Sequence, residues 1–148
     1  MKLIFLDIDG VINNNKHLMT CQRNDDSDMF MPELVERVNS IIDATKAKVV
    51  ISSDWRLCDS SQQIYRWLCA KGFRGEVIGA TPSYAKRMDG DRGDEIREWL
   101  DTNAPDATFV ILDDINHVEC VKDRLVLTDF NKGLTDENVQ QAIEMLTR

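Results

Sequence analysis

Histidine and cysteine are scarce in this sequence, with two of the first and four of the second among 148 residues. His17 and His117 have no metal-ligand spacing with the cysteines, and Cys21, Cys58, Cys69 and Cys120 form no C-x-x-C pair, so neither a zinc site nor a redox pair is expected. A chain this long needs no disulfide staples, which leaves reduced thiols in a cytoplasm as the simpler reading and Cys58 and Cys69 as small core residues. Long apolar runs are missing too. None approaches the ~20 residues of a membrane span, and the apolar stretch 3–6 is broken at once by Asp7 and Asp9, which argues against a secretory signal. Positive charge is in deficit, with 18 Lys and Arg against 26 Asp and Glu and a formal net charge of −8. That balance speaks against coating nucleic acid with the whole surface, which needs a basic footprint to displace counterions. Aromatic residues make up 7%, and Trp55, Trp67 and Trp99 fall at helical or loop positions that suit packing better than base stacking.

What is present is enough for a core: 43% of the residues are hydrophobic, and the length fits one ordinary domain, read here as 1–148. The charge is uneven. Residues 46–97 carry ten Lys and Arg against seven acids, a local excess of +3, while the remainder carries −11. Such a positive middle fits either a limited anion-facing surface or a solvated helix face.

Five short apolar runs, at 2–7, 48–52, 76–80, 108–112 and 124–128, alternate with helical patterns, which predicts an α/β domain on a parallel sheet. Strands buried on both faces read as continuous apolar segments, as residues 109–112 do. Pro32 opens a helix carrying Leu34, Val35, Val38, Ile41 and Ile42 on one face. Ser60 or Ser61 caps a second, with Ile64, Tyr65 and Leu68, stopped at Gly72. A third spans about 93–100. The last starts near Thr135, with Asp136 and Glu137 at the positive end of its dipole, and buries Val139, Ala142, Ile143 and Leu146. The segment 13–31 breaks the rhythm: it is polar as far as Asp28, shows neither period, and reads as a flap inserted after the first strand.

The strongest local signal is LIFLDIDGV, an apolar strand that delivers Asp7 and Asp9 to its C-terminal end just before Gly10. In a doubly wound sheet that edge is where ligands bind. Like charges held together are costly unless a cation or a shared proton compensates, so the pairing itself hints at function. A second acidic pair, Asp113 and Asp114 in VILDDIN, also ends an apolar strand. If the first and fourth strands are neighbours, the two pairs meet in a hard oxygen cage suited to Mg²⁺. Ser52 and Ser53 in KVVISSDWR stand at a third strand end and offer hydroxyls and loop N–H groups to an anion. Each cluster alone has a plain alternative: an Asx turn, a helix N-terminus, an ordinary loop. Three polar clusters at three strand ends point instead to one site.

With these motifs the chain resembles the haloacid dehalogenase (HAD) superfamily of phosphohydrolases over almost its whole length. LDIDGV looks like the first motif, VISS the second and VILDD the fourth. ISSDWR, RGDEIREWL and the late GLT resemble the small, capless HAD domains of nucleic-acid repair proteins, including the phosphatase domains of polynucleotide kinase-phosphatases. The resemblance implies a Rossmannoid three-layer α/β/α fold with a central, mainly parallel five-stranded sheet and a minimal cap or none. It makes Asp7 the nucleophile that forms an aspartyl-phosphate, and Asp9 the acid that protonates the leaving oxygen and then deprotonates water. It implies Mg²⁺ held by the Asp7 carboxylate, the Asp9 carbonyl and Asp114, with Asp113 a ligand through water or an orienting neighbour. Ser52 would hydrogen-bond a phosphoryl oxygen, with the Ser53 backbone as a second donor. The third motif's basic residue is ambiguous: Arg92 is the first choice, Lys86 and Arg87 are the alternatives, and Arg56 is a further candidate for touching substrate. Val11 stands where many members have Thr, a change expected to affect the flap and not the chemistry.

About 40 residues separate Asp9 from Ser52, and about half belong to the helix from Pro32, so little room is left for a cap. Capless members tend to have open sites that take large substrates, which makes nucleic-acid 3′-phosphate ends or nucleotides the candidate substrates here. No membrane partner and no obligate protein partner are expected. A non-catalytic phosphate-binding or regulatory domain is the competing reading, and intact Asp7 and Asp9 argue against it. A receiver-like signalling domain would place its acidic pair after the first strand and its phosphoacceptor later, an order this chain does not follow.

Overall fold

The structure is a computed structural model that describes residues 1–83 and 91–148. Its strands are β1 (Lys2–Leu6), β2 (Lys48–Ile51), β3 (Val77–Ala80), β4 (Thr108–Asp113) and β5 (Leu125–Leu127), and its helices are α1 (Asn15–Thr20), α2 (Pro32–Thr45), α3 (Ser61–Ala70), α4 (Arg92–Asn103) and α5 (Asp136–Thr147). The sheet runs β3-β2-β1-β4-β5, and every pairing in it is parallel. Each expected strand is present to within one residue at either end. The expectation of a mainly parallel sheet sharpens to a fully parallel one.

The continuous apolar strands sort by period two onto two cores. Ile4, Leu6, Val49, Ile51, Val110, Leu112 and Val126 pack with buried side chains of α2, α3 and α5 on one face. Leu3, Phe5, Val50, Phe109 and Ile111 meet Ile96, Trp99 and Leu100 of α4 on the other, with Val118 and Val121 completing that layer. The result is the three-layer α/β/α arrangement of a HAD-like Rossmannoid fold. Trp99 packs edge-on against Phe5, with ring centroids 5.7 Å apart, and Trp55 and Trp67 pack against each other and Phe30, so the tryptophans serve packing.

Helix ends follow local chemistry. Pro32 opens α2, and a left-handed Lys46 closes it. Asp91 caps α4 in a reciprocal box with Asp94, and Thr135 does the same for α5 with Asn138. The 13–31 segment, read as a flap, carries short elements: Asn14 caps the six-residue α1, Asp25 caps a 3₁₀ turn at Asp26–Met29, and buried Phe30 anchors the stretch to Trp55 and Trp67. Both elements are too short to leave a periodic trace. One expectation fails: Cys58 and Cys69 are exposed, not core, since Cys58 ends the 3₁₀ helix Asp54–Leu57 and Ile64 and Leu68, not Cys69, occupy the buried face of α3.

Candidate active site

Because β1 lies between β2 and β4, the ends of these three strands stand side by side. Leu6 is in register with Ile51 on one side and Leu112 on the other, so Asp7, Ser52 and Asp113 leave the sheet at one level. The backbone carries the register one residue further: Asp7 N–H donates to the Leu112 carbonyl (3.0 Å) and Ser52 N–H to the Leu6 carbonyl (2.9 Å). Asp7 therefore meets Asp113 and Asp114, as neighbouring first and fourth strands require.

Asp7, Asp113 and Asp114 each offer a carboxylate oxygen, all within 4.8 Å of one another. Asp7 is 5% exposed and Asp113 1%. Burial and the charge of Asp113 push the Asp7 carboxyl well above the usual carboxylate range, against the pull of Arg92 and a hydrogen bond from Ser53. Asp114 is raised for the same two reasons. The cluster is thus short of positive charge, and three hard oxygens at this spacing fit a divalent cation such as Mg²⁺. Asp113 is already engaged at both oxygens, accepting the Ile115 N–H at Oδ1 (2.9 Å) and Arg92 Nη1 at Oδ2 (2.7 Å).

Asp9 does not join the carboxylate trio. Its Oδ1 accepts Asn13 Nδ2 (2.9 Å), while Asn13 Oδ1 accepts the Gly10 N–H (2.8 Å), which fixes the side chain beside the loop. Gly10 has φ +81°, and Thr128 Oγ1 donates to its carbonyl at 2.6 Å, tying the first-motif loop to the end of β5.

Arg92, the first residue of α4, reaches Asp113 and lies with Nη1 3.4 Å from Asp7 Oδ2 and Nη2 3.2 Å from Asp54 Oδ1. Lys86 and Arg87, the alternatives for its role, lie outside the described residues. Asp7, Asp9, Ser53, Asp54, Arg92, Asp114, Ile115 and Phe130 enclose a cavity of about 200 Å³. Five of the sequence-derived candidates, Asp7, Asp9, Ser53, Arg92 and Asp114, thus share one wall-to-wall space.

Two candidates stand elsewhere. Arg56 is buried, and its guanidinium is taken by Glu95 and by the carbonyls of Ser53, Thr81 and Pro82, so the structure does not bring it to this cavity. Ser52 and Ser53 differ in place. Ser53 lines the cavity with Asp7, and its hydroxyl accepts the Trp55 N–H (3.4 Å), whereas the Ser52 hydroxyl is buried, outside the cavity lining and without a hydrogen-bond partner among the described residues. The reason is that the chain leaves β2 at Ile51 and turns into a 3₁₀ helix capped by Ser53. Sequence reasoning missed Asp54, Ile115 and Phe130; adjacency to the serine and aspartate motifs was the available signal for the first two.

Among the described residues no helix is long and apolar enough to cross a membrane. Compared with known proteins, residues 3–139 match the family described as the HAD domain in Swiss Army Knife RNA repair proteins. No curated protein and no solved structure gives a significant match.

Proposed function

The chain belongs to the family of HAD domains of Swiss Army Knife RNA repair proteins, and from that premise we propose that residues 1–148 form one catalytic domain, a Mg²⁺-dependent phosphomonoesterase acting on phosphorylated nucleic-acid ends through an aspartyl-phosphate. The family points to phosphohydrolase-type chemistry, and its RNA-repair context supports the substrate class. The observation that carries the reading is that Asp7 and Asp114 meet Arg92 and Ser53 in one small cavity at the C-terminal sheet edge, with the buried Asp113 carboxylate beside both.

In this reading an Asp7 carboxylate oxygen attacks phosphorus, the bond from phosphorus to the leaving oxygen breaks, and Asp9 gives that oxygen its proton. Asp9 then takes a proton from water as the water oxygen attacks phosphorus and the Asp7–phosphorus bond breaks, releasing inorganic phosphate and restoring both carboxyls. Asn13 holds Asp9 ready for this exchange. Asp7 and Asp114 would hold the cation, with Asp113 orienting Arg92 through the bond it already makes. Bound there, Mg²⁺ supplies charge neutralisation between an anionic nucleophile and an anionic substrate. Arg92 offers the phosphoryl oxygens a planar donor, and Ser53 steadies the nucleophile.

Hydrolysis of 3′- and 5′-phosphorylated oligonucleotides, mononucleotides and sugar phosphates, with Mg²⁺ or with chelator, tests this reading. Metal-dependent release of phosphate from an oligonucleotide end is expected. Turnover that survives chelation, or confined to sugar phosphates, overturns the metal or the substrate assignment respectively.

A further inference from the structure

The cavity has two apolar members among its charged walls, Ile115 and Phe130, which are 44% and 39% exposed. Among the described residues the other four phenylalanines, Phe5, Phe30, Phe73 and Phe109, each lie edge-on against another ring, whereas Phe130 has no aromatic partner. Its position is nevertheless fixed. The Lys132 and Gly133 N–H groups both donate to the Asp129 carbonyl, Asn131 N–H donates to Asp129 Oδ1, and the Phe130 carbonyl accepts the Asn15 N–H at 2.9 Å. Asn15 Nδ2 also reaches Asn131 Oδ1 at 3.3 Å, so α1 braces the turn that carries the ring. Ile115 is held by its own N–H on Asp113. A braced, half-exposed ring at a carboxylate-lined cavity gains little for folding, so its benefit falls on the ligand side.

The size of the cavity says what that ligand is. About 200 Å³ holds a phosphoryl group and a cation but not a nucleoside as well, so the group bearing the phosphate must lie across the mouth. There it meets Asp54 and Asp9, which repel further phosphates, and the part-exposed side chains of Phe130 and Ile115, which favour an apolar, uncharged group. We propose that Phe130, flanked by Ile115, is the platform on which the base of the phosphate-bearing terminal nucleotide stacks, so that the site selects a nucleoside leaving group independent of base identity. Every base has a π-face, which makes stacking tolerant of sequence. This rests on the phosphomonoesterase reading and adds the feature of the substrate that is recognised.

The test compares two substrates, a terminally phosphorylated oligonucleotide and the same strand with an abasic terminal residue, on wild type, Phe130→Ala and Phe130→Trp. The wild type should show a KM about tenfold lower for the base-bearing strand. Phe130→Ala should bring the two KM values together, and Phe130→Trp should restore the gap. If the gap is absent in the wild type, or persists in Phe130→Ala because both KM values rise alike, the platform is overturned. Fluorescence anisotropy of the two labelled strands on the same three proteins keeps the two readings separable. A protein without turnover that binds the base-bearing strand more tightly, through Phe130, contradicts the phosphatase and supports the platform; equal or absent binding of the two strands overturns it.

Discussion

Gly10 shows how closely single atoms are fitted around the carboxylates. A Cβ there would stand 2.6 Å from Asp114 Cγ and Oδ2, and the φ of +81° is one that L side chains rarely adopt. Gly10→Ala should therefore displace Asp114 and lower kcat at least tenfold, about 1.4 kcal/mol of barrier, beside a loss of stability of about 1–2 kcal/mol; steady-state kinetics beside a thermal melt checks both, and undiminished kcat contradicts the placement. At this scale the sequence was most readable where spacing carries chemistry. Asp7, Asp113 and Asp114 end apolar runs, and strand geometry sends them to one edge. It was less readable where a turn redirects a side chain. Ser52 and Ser53 look alike in VISSD, and only the 3₁₀ turn after β2 decides which of them lines the cavity with Asp7. Arg56 is positive and close to the serine motif, but a buried partner 39 residues away claims it, and no local pattern announces Glu95.

That pair matters at the scale of elements. Arg56 joins the loop after β2 to the carbonyls that follow β3, and Glu95 anchors it to the first turn of α4, the turn that begins with Arg92. The clamp thus holds three pieces of the site at one spacing. Glu95→Ala leaves a buried guanidinium without its counter-charge and should cost about 3–5 kcal/mol, read as a drop in the urea midpoint. Glu95→Leu combined with Arg56→Met should recover most of that stability while kcat stays low, because the loop carbonyls lose their common donor. Recovery of both would mean the clamp serves folding alone. The long elements were legible from period and caps, since α2 and α5 each present a clear apolar face. The short ones, α1 and the 3₁₀ turns, were not, because one or two turns cannot display a helical period and are held by tertiary contacts.

For the whole molecule, the excess of acids is partly the cost of the site. The Asp7 and Asp114 carboxyls sit above their ordinary range, so above about pH 4 the folded state retains protons that the unfolded chain has lost. The native state then binds more protons than the unfolded one, and stability falls as pH rises through the raised values. In chelator, urea unfolding of wild type should lose stability with rising pH more steeply than the Asp7→Asn, Asp114→Asn double variant; parallel profiles would contradict the burial of these charges. On the proposed reading Mg²⁺ should raise the melting temperature of the wild type, by the equivalent of about 2.7 kcal/mol at a hundredfold excess over its dissociation constant, with little effect on the double variant. Strand order is the feature at this scale that local sequence could not provide. Apolar runs name the strands, but that β1 sits at the centre, with β2 and β3 on one side and β4 and β5 on the other, is settled only when the layers pack.

The central claim is that Asp7 takes the phosphoryl group, and acid-quenching the protein a few milliseconds after mixing with a terminally phosphorylated oligonucleotide and Mg²⁺ tests it most directly. Peptide mass analysis should find one phosphoryl group on the peptide containing Asp7, absent from Asp7→Asn and from reactions in chelator. Phosphate released at full rate by Asp7→Asn, or a phosphoryl group found on any other residue, would contradict the account.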